Sequence, residues 1–132
     1  MTAEVAVLFH MPEKVPWRDL DALVAGVMSI SLDQYEQVAV ALPTFYFERK
    51  PEPVEILDGA REIVTNVCGR ANWRASRRVR TESQEKVRSI SGGDILVHEG
   101  IRYLYGGRYG NFVPLIEKDN RLVADHSRGE TS

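Results

Sequence analysis

The sequence predicts a single α+β domain: a small antiparallel sheet with two amphipathic helices packed on one face, and a β-meander at its C-terminal end. Three observations predict it. Short apolar runs rich in β-branched residues recur between turn signals. Two stretches carry apolar residues at spacings of three and four. Three further strand-like runs follow one another between Ile95 and Ile116. The 132 residues are 43% hydrophobic and 27% charged, ordinary values for one domain. At this length roughly two-thirds of the unfolded chain's surface can be buried, so the fold needs neither disulfides nor a structural metal.

Taken in order, Glu4 to Phe9 (EVAVLF) is too short for a helix and stops at His10, Met11 and Pro12, as a strand does. From Trp17 to Met28, Trp17, Leu20, Leu23, Val24, Val27 and Met28 mark one face of a helix whose start is favoured by Asp19 and Asp21. Ser31 to Asp33 breaks that pattern. Tyr35 to Phe47 then holds one or two strands, interrupted at Pro43. The charged ERKPEP stretch is a loop. Pro53 suits the first position of a second helix, Val54 to about Val67, with a stripe of Ile56, Leu57, Ala60, Ile63, Val64 and Val67. Cys68 and Gly69 end it. Ala71 to Arg88 lacks a period and reads as a long polar loop with room for one short strand around Val79. Ile95 to Val97, Ile101 to Tyr105 and Phe112 to Ile116 make the meander. The chain after Glu117 is polar, so the expected domain runs over 1–126 and a frayed tail over 127–132.

Composition narrows the function classes. No apolar run approaches the roughly 18 residues of a membrane span, and the N-terminus lacks the basic start and apolar stretch of a signal peptide. A single cysteine fits a reducing compartment, so a cytoplasmic location is expected. The net charge of −2 hides a segregation. Between Arg70 and Arg88, seven basic residues face two acidic ones, a local +5 that leaves −7 for the rest. A basic segment on an acidic body suits a small anionic ligand or one acidic patch better than the coating of long nucleic acid.

Chemistry-bearing residues are sparse. Cys68, His10, His98 and His126 have no metal-ligand spacing, so neither metal nor cofactor is expected. Nothing near Cys68 supplies the orienting partner of a nucleophile. Gly106 to Asn111 (GGRYGN) is glycine-rich but lies between strands, without the strand-loop-helix context of a phosphate loop. The segment NVCGRANWRASRRVR sets Trp73 among Arg70, Arg74, Arg77 and Arg78, with Asn66 and Asn72 nearby. An indole stacks a base, guanidinium groups fork onto phosphate, and amides read base edges or ribose. The bland alternative packs Trp73 against the second helix and leaves the arginines solvated. In VRSISGGDILVHEGIRYL, Gly92-Gly93-Asp94 makes a tight turn, and Ser89 and Ser91 can cap backbone amides or donate to an anion.

Tyr35 to Leu115 resembles a group of small proteins frequent in phages and prophages. Their pattern is a strand ending in V-A, an acidic helix finishing in T-N, a W, then R-S-x-S-x-G-D, two strands and a G-F. The matching pieces are Val38-Ala39, Thr65-Asn66, Trp73, Arg88 to Asp94, and Gly110-Asn111-Phe112, over about 80 residues. Gly92 replaces the usual valine, and Asn111 interrupts the G-F. In size and organisation the chain also resembles phage counter-defence proteins that sequester nucleotide signals, such as the Thoeris anti-defence sponges. That resemblance implies a non-catalytic, oligomeric protein of the host-cell cytoplasm holding a cyclic ADP-ribose isomer or cyclic oligonucleotide. Trp73 would stack the base and Asn66 or Asn72 would hydrogen-bond it. Arg70, Arg74 and Arg88 would hold phosphate, while Ser89, Ser91 and Asp94 would shape the turn or bind ribose. The alternative is an inhibitor that grips a host defence protein or nucleic-acid complex with the basic loop. A small nucleotide-cleaving enzyme, which would need His98, Asp94 or Glu99 beside a bound phosphate, ranks last.

Overall fold

The computed structural model describes residues 3–11, 13–43, 51–67, 79–81, 90–106 and 111–125, with the backbone alone for 65–67 and 79–81. In chain order its elements are β1 (Val5–His10), α1 (Trp17–Ala25), β2 (Tyr35–Ala41), α2 (Pro53–Val67), β3 (Val79–Thr81), β4 (Ile95–His98), β5 (Ile101–Tyr105), β6 (Phe112–Lys118) and β7 (Arg121–Ala124). All strand pairs are antiparallel, and the sheet order is β3-β2-β1-β4-β5-β6-β7. The architecture is mixed α+β. No helix among the described residues is long and apolar enough to cross a membrane.

Strand alternation divides the core in two. Val5, Val7, Phe9, Leu96, Tyr103 and Phe112 share one face, and α2 lays Ile56, Leu57, Ala60, Ile63 and Val64 across it. On the other face Ile95, Leu104, Val113 and Leu122 pack with Val15, Ile30 and Leu23 of α1. The helices thus cover opposite faces, which corrects the expectation that both share one. Adjacent residues Ile95 and Leu96 are both fully buried, and a sheet apolar on both faces needs cover on both. A bulge between Val7 and Leu8 pairs Leu8 with Gln37 and Val7 with Ala39, so Val38 is the extra residue. Val38 and Ala39 consequently both join the core beneath α2.

Local chemistry explains the helix ends. Pro53 opens α2, and the Glu55 carboxylate accepts the Glu52 backbone N–H at 3.3 Å, half of a capping box. At the far end of α1, Gly26 adopts the left-handed conformation (φ 80°), and the Val27 and Met28 N–H groups donate back to the Ala22 carbonyl. The helix therefore stops three residues before Met28. Trp17 and Val27, expected on the buried stripe, are 78% and 83% exposed, while Leu20 and Leu23 are buried.

The polar chain after Glu117, which its composition does not mark as a strand, turns at Asp119 and Asn120 (φ 54° and 63°) and returns as β7. These positive dihedrals are those of a two-residue hairpin turn, a conformation that asparagine and aspartate tolerate. Leu122 is 2% exposed and closes the α1-side core, while Ile30 bridges the free edge of β7 by exchanging two backbone hydrogen bonds with Leu122. Cys68 and Gly69, most of the 70–88 segment, and the expected tail at 127–132 lie outside the described residues.

Candidate functional site

Of the predicted ligand residues, Arg70, Asn72, Trp73, Arg74, Arg88 and Ser89 lie outside the described residues, and of Asn66 only the backbone within α2 is described. Among the described residues the segment contributes β3, which pairs with β2 through Ala39↔Thr81, Val40↔Arg80 and Ala41↔Val79. Ser91 and Asp94 are described, and they meet in a turn. The Asp94 N–H donates to the Ser91 carbonyl at 3.0 Å, and Gly93 takes φ +94° at the third position, the type II arrangement. Any side chain at Gly93 would also press on Val15, since a Cβ there would lie 2.5 Å from the Val15 Cβ.

Asp94 is fully buried. Its Oδ2 accepts the Ser91 N–H at 2.8 Å and its Oδ1 accepts the His10 N–H at 3.2 Å, tying the end of β1 to the start of β4. The Tyr35 hydroxyl donates to the Gly93 carbonyl at 2.7 Å, adding the start of β2 to the same knot. Gly93 and Tyr105 complete it through a 2.8 Å bond from the Gly93 N–H and a 2.9 Å bond from Tyr105 back to the Asp94 carbonyl. Burial first, and the nearby Asp94 charge second, push the Tyr35 phenol far above its usual range. Of the two roles considered for Ser91 and Asp94, these contacts provide turn-shaping.

Beside this knot opens a cleft of about 330 Å³ between α1, the 28–35 connection and β7. Val15, Leu23 and Ile30 contribute apolar wall, and His10, Asp19, Tyr35, Gln34 and Arg121 contribute polar groups. The His10 ring meets the Tyr35 ring edge-on, with centroids 5.3 Å apart. His10 Nδ1 lies 2.6 Å from the Glu13 carbonyl, an acceptor, so Nδ1 carries a proton and donates it there. Both rings are therefore held at their polar ends, a preorganised wall. Across β7, Arg121 Nε donates to the Ser29 hydroxyl at 2.5 Å and Nη2 to the Ser29 carbonyl at 3.4 Å. Two of the five guanidinium donors are so engaged, and the rest are uncommitted among the described residues.

The cleft residues and the predicted set do not coincide. In the sequence His10 reads as a strand-end residue without metal-ligand spacing and Asp19 as a helix-start charge, because each sits alone in its own segment. A signal for Arg121 did exist: Asp119-Asn120 between IEK and RLVA is a hairpin dipeptide, and it places the arginine at a strand start. No family model matches the chain, and no curated protein or solved structure matches it significantly.

Proposed function

We propose that this chain binds a small nucleotide signal, a cyclic ADP-ribose isomer or cyclic oligonucleotide, and sequesters it without cleaving it, as a phage counter-defence protein. The charge segregation carries the reading: a local +5 over residues 70–88, with Trp73 set among the arginines, on a body of −7. Guanidinium forks and an indole face are the groups that recognise phosphate and base. The β3 pairing supports it further, since it fastens that segment to the sheet edge at Val79–Thr81. Oligomerisation is part of the proposal, with pockets near subunit boundaries.

Native mass spectrometry of the purified chain against a panel of cyclic and ADP-ribose nucleotides tests it, reporting ligand mass and subunit number together. The expected result is a bound nucleotide released unchanged on denaturation. Release of fragments overturns the reading in favour of an enzyme. Salt-sensitive co-purification of a macromolecule without nucleotide overturns it in favour of the inhibitor. Arg74→Ala and Arg88→Ala should each weaken binding about ten- to a hundredfold, the effect of a lost charge-assisted contact of about 1.5–3 kcal/mol.

A further inference from the structure

The geometry points to a second, separate binding site: the cleft between α1 and β7 takes a nucleoside monophosphate whose base carries an exocyclic amine. The chemistry is amphoteric. Arg121 is oriented by its two bonds to Ser29 and keeps donors available for an anion, the forked pattern suited to phosphate. Asp19, the third residue of α1, lines the same cleft, and its carboxylate has no hydrogen bond or ion pair among the described residues. Arg121 and Asp19 thus share a cleft without pairing with each other. A cation and an anion that line one cleft without pairing are complementary to a ligand that presents an anionic group to one and an N–H donor to the other.

The rest of the lining sets the ligand's body. His10 and Tyr35 offer a rigid aromatic wall, and Val15, Leu23 and Ile30 an apolar one, which together fit a planar heterocycle. Gln34, whose amide is likewise uncommitted among the described residues, can bond ribose hydroxyls. About 330 Å³ lies at the small end of ligand pockets, room for one nucleotide unit. The proposal does not rest on the sequestration reading, because none of these residues belongs to the 70–88 segment.

The test is titration of the full chain with adenosine 5′-monophosphate, followed by calorimetry and by amide shifts of a 15N-labelled sample. Purine riboside 5′-monophosphate, which lacks the amine, and inorganic phosphate run beside it. Adenosine 5′-monophosphate should shift the amides of Ser29, Tyr35 and Arg121, and Arg121→Ala should weaken it at least tenfold, with Arg121→Lys recovering only part. Asp19→Ala should erase the preference for the amino purine while leaving purine riboside monophosphate unaffected. Both side chains reach solvent, so circular dichroism of the variants should match the parent. Equal binding of the two purines by the parent, the same shifts from phosphate alone, or full affinity in Arg121→Ala overturns the site. Binding lost in Arg74→Ala or Arg88→Ala but kept in Arg121→Ala overturns the cleft and leaves the sequestration reading standing.

Discussion

Replacing Asp94 with asparagine separates the two roles of the Arg88–Asp94 motif, scaffold and ligand contact. The side chain is fully buried, and its two carboxylate oxygens accept the backbone N–H groups of Ser91 and His10 at 2.8 and 3.2 Å. Asparagine keeps the shape but has one acceptor oxygen, so its NH₂ must face one of those N–H donors. One charge-assisted hydrogen bond of about 1.5–3 kcal/mol is lost and a buried donor is orphaned at about 1–3 kcal/mol. The two costs overlap, giving an expected destabilisation of about 2–4 kcal/mol. Asp94→Ala orphans both donors and should cost about 3–5 kcal/mol. Against a total of about 5–15 kcal/mol for a domain, either loss is large. Urea unfolding followed by circular dichroism measures it, and the asparagine variant should also melt roughly 6–20 °C lower. Nucleotide affinity per folded molecule should stay within twofold, because the carboxylate faces inward. A stability change below 0.5 kcal/mol, or a tenfold loss of affinity at unchanged stability, would refute the scaffold argument.

Other outcomes follow from the same contacts. The Tyr35 phenol is held protonated in the fold, chiefly by burial and then by Asp94, whereas in the unfolded chain it ionises near its usual value of about 10. A pKa raised by folding contributes stability in full below about pH 10 and loses it as pH rises above that. Tyr35→Phe should therefore flatten the alkaline decline in stability, read from unfolding curves between pH 8 and 11, and remove from the absorbance titration one tyrosine that ionises only at unusually high pH. Gly93→Ala combines a left-handed backbone penalty of about 1–2 kcal/mol with crowding against Val15 of about 1–3 kcal/mol, so unfolding curves should show a loss of about 2–5 kcal/mol. Leu122→Ala should cost about 2–5 kcal/mol if β7 closes the α1-side core, and a loss near zero would exclude that packing.

The parts of the fold that were legible in the sequence are those set by neighbours along the chain. The spacing of Ile56, Leu57, Ala60, Ile63 and Val64 marks α2, and Pro53 and Glu55 mark its start, because helix periodicity and capping act within one or two turns. The early end of α1 was less visible, since the apolar spacing runs on through Val27 and Met28 while Gly26 alone stops the helix. β7 is hard to read from the sequence because a four-residue strand with one buried side chain carries little periodic signal. The candidate cleft was not legible at all. Arg121 stands far along the chain from His10 and Asp19, and each taken singly has an ordinary local explanation.

By itself the sequence determined an α+β domain, the position of α2 and most strands, the turn at Gly93-Asp94, and the segregation of positive charge into residues 70–88. Those properties follow from backbone propensity, apolar period and covalent order, which are local. Only the tertiary structure decided that the helices cover opposite faces, that Asp94 spends its carboxylate on the ends of β1 and β4, and that Arg121 and Asp19 line one cleft. Each of these depends on strand register and on the parity of side chains across a bulged sheet. One residue of slip reverses that parity, and no local pattern encodes it.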